Sequence, residues 1–425
     1  MTTLSPGLLA HYVPDESVDA RSDDPETVLD AILDPVRRGE LYPLYRRLRE
    51  LAPVHHTTNE RLHRTWVVTS FDEAMAVFRS PSAVNDPATC EIFNNGGSGG
   101  AFYQTMRGMM LFLESDDHAR LRRLVIPSFT PRSIERLRPV TQRIADELVD
   151  AVIDDRSMEL VAQFAYPLPI RVIANILGVP DSDHPLIEAL ARDFARAGDL
   201  SALTPEIVRR GDDAASGFAD YFGRMVELRR RDPGDDVLSA LAGAEADGER
   251  LTGNEIVATA VLLMQAGHET TADLVGNAMV ALFRHPDELR RLQSEPEITK
   301  IAVEEFLRYD GSVQLNHRLL TEDMRVGPVT VPAGEVVAIF LGAANRDPAR
   351  FLEPDRLDLT RAPAPHIGFS YGAYYCVGAS LARTETQVAL RTLLDRLPGI
   401  RPAADTFQWR NTLTLRGPHE LAVAW

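Results

Sequence analysis

The chain has 425 residues, 44% of them hydrophobic and 25% charged, with a formal net charge of −17 at pH 7. These fractions exclude a disordered or fibrous chain, and at roughly 150 residues per domain the length allows one large domain or two to three small ones. Cys90 and Cys376 are the only cysteines, which excludes a disulfide framework and a four-cysteine zinc site, and the acidic balance argues against nucleic acid as a main partner.

The N-terminus, Met1 to Pro25, is polar, acidic and proline-bearing, without the basic start and apolar run of a targeting segment. Helical spacing then covers Pro35–Leu51 (Leu41, Leu44, Tyr45, Leu48), and Pro53–Ser70 reads as two short strands, Trp66-Val67-Val68 being the second. Phe71–Arg79 returns to helix. Pro81–Gly100 is loop-like, and its run Gly96-Gly97-Ser98-Gly99-Gly100 suggests a lid or binding loop. From Asp116 to about Arg229 helix follows helix, broken at Pro127, Pro131, Pro167, Pro180 and Pro205. Asp232–Asp236 is a turn, Leu251–Arg284 one long helix and Pro296–Tyr309 another. Val313–Ala343 has short β-like runs, a proline-rich stretch leads to His366, and a last helix (Ala379–Leu397) precedes a β tail around Leu413–Val423. The longest apolar stretch, near Ile256–Met264, is too short to span a bilayer, so a cytosolic protein is expected. The expected fold is mainly α with small β-sheets, in one domain.

Three segments carry chemistry. The long helix opens on a capping box, Thr252 and Glu255, and is apolar nearly all round, which marks a buried helix. Its middle, Ala266-Gly267-His268-Glu269-Thr270-Thr271, breaks that pattern. A mid-helix glycine costs about 1 kcal/mol relative to alanine, a buried glutamate more unless paired, and a threonine can bond back to a carbonyl. The segment is therefore either a satisfied kink in a core helix or an acid–alcohol pair facing a cavity, placed to relay protons. The second segment, Phe369 to Gly378, sets Cys376 among glycines just before the last helix. Helix N–H groups and dipole stabilise a thiolate there, and with no second ligand cysteine nearby the site suits a single axial thiolate on haem iron. A small buried hydrophobe is the alternative, and is the reading given to Cys90. In the third, Glu305 and Arg308 are three apart and can pair on one helical face.

In this order and spacing the three segments resemble the cytochrome P-450 family of haem-thiolate monooxygenases in its soluble bacterial, ferredoxin-dependent form, from about Leu41 to Trp425. F-x-x-G-x-x-x-C-x-G is matched by Phe369, Gly372, Cys376 and Gly378; A-G-x-E-T by Ala266, Gly267, Glu269 and Thr270; and E-x-x-R by Glu305 and Arg308. The resemblance implies residues 1–34 as an N-terminal extension and 35–425 as a P-450 domain, with haem between the long central helix and the cysteine loop. It makes Cys376 the axial ligand of the haem iron and places Glu305, Arg308 and Arg356 in a buried structural triad. His118 and Arg122, in Asp116-Asp117-His118-Ala119-Arg120-Leu121-Arg122-Arg123, and Arg318 inherit contacts to the haem propionates, and Phe369, Gly372, Gly378 and Ala266 line the cofactor. Tyr374 stands where the family usually has His or Arg, bringing a hydroxyl but no charge, so propionate neutralisation should rest more on His118, Arg122 and Arg318. Leu357 replaces a usual Phe.

What the resemblance implies chemically is a haem b enzyme that uses O2 and electrons from NAD(P)H, passed through ferredoxin reductase and ferredoxin, to insert one oxygen atom into a substrate. Glu269 and Thr270 form its proton path. Arg120, Arg123 and Arg383 are the candidates for a basic ferredoxin-docking face on an otherwise acidic protein. By position Phe102, Met106, Leu262, Gln265, Val313, Gln314 and Leu413 line the substrate pocket, and the two glutamines suit an amphipathic natural product, free or carrier-bound. A monomer without nucleic-acid or membrane partners is expected. Hydroxylation leads; phenolic coupling, epoxidation or desaturation, or a non-catalytic recruiting module, are the alternatives.

Overall fold

The computed structural model describes residues 18–62, 65–85, 99–113, 115–198, 204–246, 248–362, 364–404 and 406–425. Its axis is the helix Gly253–Arg284, whose 32 residues run roughly 48 Å at 1.5 Å per residue. The capping box forms as the sequence predicts: the Thr252 N–H donates to Glu255 Oε2 (2.7 Å) and the Glu255 N–H to Thr252 Oγ1 (3.2 Å). Apolar residues on every side let this central helix run through the core, where Ile256, Val261, Met264, Leu274, Val275, Met279 and Val280 are buried. The helices Pro167–Ile176, Pro205–Arg231, Thr299–Asp310 and Ala379–Arg396 pack around it. No described helix is long and apolar enough to cross a membrane.

The β-like texture of Val313–Ala343 becomes the strands Leu315–Leu320 and Val336–Phe340, which pair antiparallel with Arg318 opposite Val337. Val336–Phe340 also runs parallel to Trp66–Val68, completing a sheet with Val54–His56 and Ala83–Val84 at its edges. A second sheet joins Ser157–Glu159 to the tail strand Ala422–Ala424. This strand lies inside a stretch that reads as helical throughout; its partner comes from the far end of the chain, so long-range pairing overrides local pattern.

The boundary drawn at residue 34 does not mark a structural division. Asp24 caps a helix, Pro25–Leu33, by accepting the Glu26 and Thr27 N–H groups. Val28, Leu29 and Ile32 are fully buried in one cluster with Leu44, Tyr45 and Phe340. The acidic, proline-bearing composition hides this helix because the proline sits at its first turn, where no N–H is needed. Cys90 and most of the glycine run lie outside the described residues. Beyond them the helix Ala101–Gly108 begins, with the Phe102 N–H donating to Asp212 Oδ1 (2.8 Å).

Candidate active site

The cysteine loop is shaped by its backbone. Gly372 has φ +73°, and a Cβ there would lie 2.9 Å from the Phe78 carbonyl oxygen, so a side chain is excluded on both counts. The Cys376 N–H donates to the Phe369 carbonyl (3.0 Å), and the Ala382 N–H to Gly378 O (2.9 Å) opens the helix Ala379–Arg396. At Gly378, by contrast, a Cβ would make an ordinary 3.9 Å contact with the sulfur, so its contribution is the N–H it donates to Cys376. The thiol itself is pushed up, not down: the protein packed around the sulfur disfavours the anion more than the Gly378 N–H, Arg122 and Arg383 offset. The Gly378 N–H, Arg122 and Arg383 favour the thiolate, and a coordinated cation would favour it further. Cys376 is nonetheless free and exposed, as such a ligand must be.

Beside the cysteine, cationic side chains gather with no carboxylate paired to them among the described residues. Asp116 and Asp117 in the first turn and Arg122 and Arg123 in the last complement the dipole of the helix Ser115–Val125, and they leave His118 and Arg122 on its inner side, half or more buried. Arg318, only 1% exposed, is held by neutral partners: Nη1 donates to Asn85 Oδ1 (2.9 Å) and Asn316 Oδ1 (2.7 Å), and Nη2 to Ser370 Oγ (3.1 Å). Burial lowers the Arg318 guanidinium to about 10. Burial, then Arg122 and Arg318, lower His118 to about 4, so its imidazole is neutral at pH 7. Tyr374 joins the group through its ring, not its hydroxyl: its centroid is 4.3 Å from that of His118 and 4.7 Å from the Arg318 guanidinium carbon. Among the described residues no carboxylate pairs with His118, Arg122 or Arg318. A buried cationic cluster of this kind fits a bound dianion, and the two propionates of a haem whose iron meets Cys376 supply one. Asn85, Asn316 and Ser370, which hold Arg318, carried no sequence signal.

On the central helix the Thr270 hydroxyl donates to the Ala266 carbonyl (2.7 Å), as a mid-helix threonine does, and Ala266 is exposed between largely buried turns. Glu269 is paired with a residue that sequence reasoning missed: Arg410 Nη2 lies 2.7 Å from Glu269 Oε1, and Arg410 Nη1 lies 3.3 Å from Asp273 Oδ1. Asp273, one turn beyond Glu269, is raised to about 7, chiefly by burial and further by Glu269, against the pull of Arg410. Next to Glu269, His268 is fully buried, with Nε2 3.1 Å from the Tyr166 hydroxyl.

One expectation is corrected. The third member of the triad is Arg361, whose Nε is 3.1 Å from Glu305 Oε1, while Arg308 donates to both Glu305 oxygens (2.8 Å each). Arg356 turns outward to Glu353 and gives only its carbonyl to Arg308 (3.3 Å); the residue five places on has the reach inward. The arginines expected on a basic docking face each carry an ion pair: Arg120 with Glu255, Arg123 with Glu249 (3.4 Å) and Arg383 with Glu304 (2.6 Å). The two pocket glutamines spend amide hydrogens on backbone, Gln265 on Ala191 O (3.3 Å) and Gln314 on Gly311 O (2.7 Å). Gln314 is buried, Val313 bridges to Leu415, and Leu413 packs against the N-terminal cluster. Phe102, Met106 and Leu262 pack on the main core.

Comparison with known proteins agrees with this geometry. The family model for cytochrome P450 matches residues 191–398. Cytochrome P450 107B1 of Saccharopolyspora erythraea is 36% identical over 387 residues, 89% of this chain and 93% of that protein. The cytochrome P450 monooxygenase PikC of Streptomyces venezuelae is 36% identical over 394 residues, 90% of this chain and 91% of its own length. Among solved structures, P450BioI in complex with hexadec-9Z-enoic acid ligated acyl carrier protein superposes with a TM-score of 0.85 at 34% identity, covering 92% of this chain and 99% of that one. The open cysteine, the uncompensated cationic cluster beside it and likeness over nine-tenths of the length lead to one conclusion: the chain belongs to the cytochrome P450 family and is a monooxygenase of that family.

Proposed function

We propose that the protein hydroxylates an amphipathic organic substrate in bacterial natural-product biosynthesis, with haem b held by Cys376 and the His118–Arg122–Arg318 cluster. When bound, the haem supplies the activation of O2 and the transfer of one oxygen atom. The observation that carries the reading is the cationic cluster around Tyr374, which lacks any described carboxylate and lies by the only described cysteine. Arg122 and Arg318 would bring positive charge to the propionates and His118 an imidazole N–H, which would orient the cofactor before any substrate binds. Phe369 pins the cysteine backbone and the Gly378 N–H donates to the sulfur, which would stabilise negative charge on a thiolate ligand.

Glu269 and Thr270 provide the proton route. The Thr270 hydroxyl, now donating to Ala266 O, would turn to hold a proton toward the cofactor side, and the Glu269 carboxylate on the adjacent position would replenish it. Electrons come from NAD(P)H through a ferredoxin that docks on the cysteine side. There Arg120, Arg123 and Arg383 contribute only if their pairs with Glu255, Glu249 and Glu304 exchange for carboxylates of the partner. Two substrate classes are compared, a carrier-bound acyl group, which the carrier-protein complex of P450BioI supports, and a free amphipathic molecule. Turnover of a panel of both under 18O2, with ferredoxin, reductase and NAD(P)H, tests the reading. It predicts one labelled oxygen per product molecule; unlabelled coupled or desaturated products would contradict hydroxylation.

A further inference from the structure

Glu269 is held by more than its own helix. Glu269 and Asp273 are i and i+4, so their carboxylates stand one above the other on one face of the central helix. Like charges at that spacing repel, and here Arg410 enters between them from the C-terminal part of the chain. Its backbone is fixed by the Arg410 N–H donating to Gly417 O (3.0 Å), and a Cβ on Gly417 would collide with the Asp273 carboxylate. The turn from 410 to 417 is therefore seated directly on this pair of acids. The two ion pairs are unequal: Arg410 meets Glu269 at 2.7 Å, within strong charge-assisted range, and Asp273 at 3.3 and 3.4 Å.

We propose that Arg410 is a positioning residue for the proton-relaying Glu269, and that Asp273 competes for the same guanidinium and so sets how firmly Glu269 is held. This rests on the reading of Glu269 as the proton relay. With Asp273 protonated, Arg410 belongs to Glu269 alone and draws it away from Thr270. With Asp273 ionised, one cation serves two carboxylates, the pull on Glu269 is divided, and the carboxylate is free to turn toward the threonine.

The charged surroundings are few. Asp273 is 3% exposed and faces Glu269 on its own helix and Arg410 on the turn packed against it. On the other side of Glu269 stand His268 and Tyr166, with Arg192 and Glu188 around the tyrosine. Burial raises Asp273 to about 7, which places the competition in the working range of a cytoplasmic enzyme. The sign follows: raising the pH through this value ionises Asp273, releases Glu269 and raises the product formed per NAD(P)H.

The test uses infrared titration of the carboxylic-acid C=O band together with product formed per NAD(P)H against pH. The wild type should show a band titrating near pH 7 that Asp273→Asn removes, and Arg410→Gln should move its midpoint up by about one unit or more, because the stabilising cation is gone. The rise of product yield across about pH 6 to 8 should be present in the wild type, absent in Asp273→Asn and Arg410→Gln, and restored by Arg410→Lys. If Glu269→Gln leaves product yield intact, the reading of Glu269 falls, and the band shift alone still decides whether Arg410 is shared. If Glu269→Gln lowers yield but Arg410→Gln and Asp273→Asn keep the wild-type band and pH profile, the positioning role is overturned.

Discussion

Arg361 and Glu305 pair at 3.1 Å through a carboxylate that also receives both prongs of Arg308, so one buried acid holds two arginines. Arg308 in turn donates to the Asn345 carbonyl (3.1 Å) and the Pro354 carbonyl (2.8 Å), and the Asn345 side chain accepts the Ile367 N–H (2.8 Å). The chain leading into the cysteine loop is thus tied through Asn345 and Arg308 to the helix Thr299–Asp310, in addition to its local bonds.

Removing Glu305 leaves a buried cation uncompensated. Glu305→Gln should therefore lower stability by about 3–5 kcal/mol, or prevent folding outright. Arg356→Ala, whose guanidinium is exposed, should cost no more than about 0.5 kcal/mol. Urea denaturation of the two variants checks the contrast, and an Arg356→Ala as damaging as Glu305→Gln would return Arg356 to the triad.

His118 gives the apo protein an acid sensitivity. Its folded value of about 4 lies below the ordinary 6.5, so the unfolded chain takes up a proton that the native one refuses. Stability should fall as pH drops from about 6.5 to about 4, and His118→Gln should lose that component. Haem propionates favour the charged imidazole and should shrink the dependence. Urea unfolding of apo and haem-loaded protein across this range reads both effects.

Tyr374 works through stacking, so Tyr374→Phe should retain haem within about threefold in dissociation rate, whereas Arg318→Ala should release it about tenfold faster or more, the equivalent of about 1.4 kcal/mol. Transfer of haem to apomyoglobin measures both rates. A Tyr374→Phe as leaky as Arg318→Ala would show that the hydroxyl, not the ring, makes the contact.

Much of this is legible in the sequence. The capping box of Thr252 and Glu255, the run of strands after Val313 and the setting of Cys376 all depend on residues close in sequence, where local periodicity and turn chemistry speak directly. What stayed hidden depends on partners brought from afar. Arg410 meets Glu269 across 141 positions, and Ser157–Glu159 becomes a strand only because Ala422–Ala424 lies beside it. Arg356 and Arg361 are both near the end of the same loop, and only the path of the chain decides which guanidinium points inward. The paired state of Arg120, Arg123 and Arg383 was equally invisible, because Glu255, Glu249 and Glu304 sit on other elements.

The proposed proton route through Thr270 predicts that its loss uncouples oxygen reduction from oxygen insertion. Thr270→Ala should keep NAD(P)H consumption within a few-fold while the fraction ending in product falls by about tenfold or more, with the balance appearing as peroxide; Thr270→Ser should restore most of it. Simultaneous assay of NAD(P)H, peroxide and product decides the point, and unchanged yield in Thr270→Ala would remove the residue from the proton route.

The central claim is that Cys376 binds the haem iron as a thiolate, and the reduced, CO-bound absorption spectrum tests it most directly. The wild type should show the strongly red-shifted band of a thiolate–iron–CO complex, and Cys376→Ala should lack it. A wild-type spectrum without that band, or a Cys376→Ala protein that keeps it, would contradict the assignment.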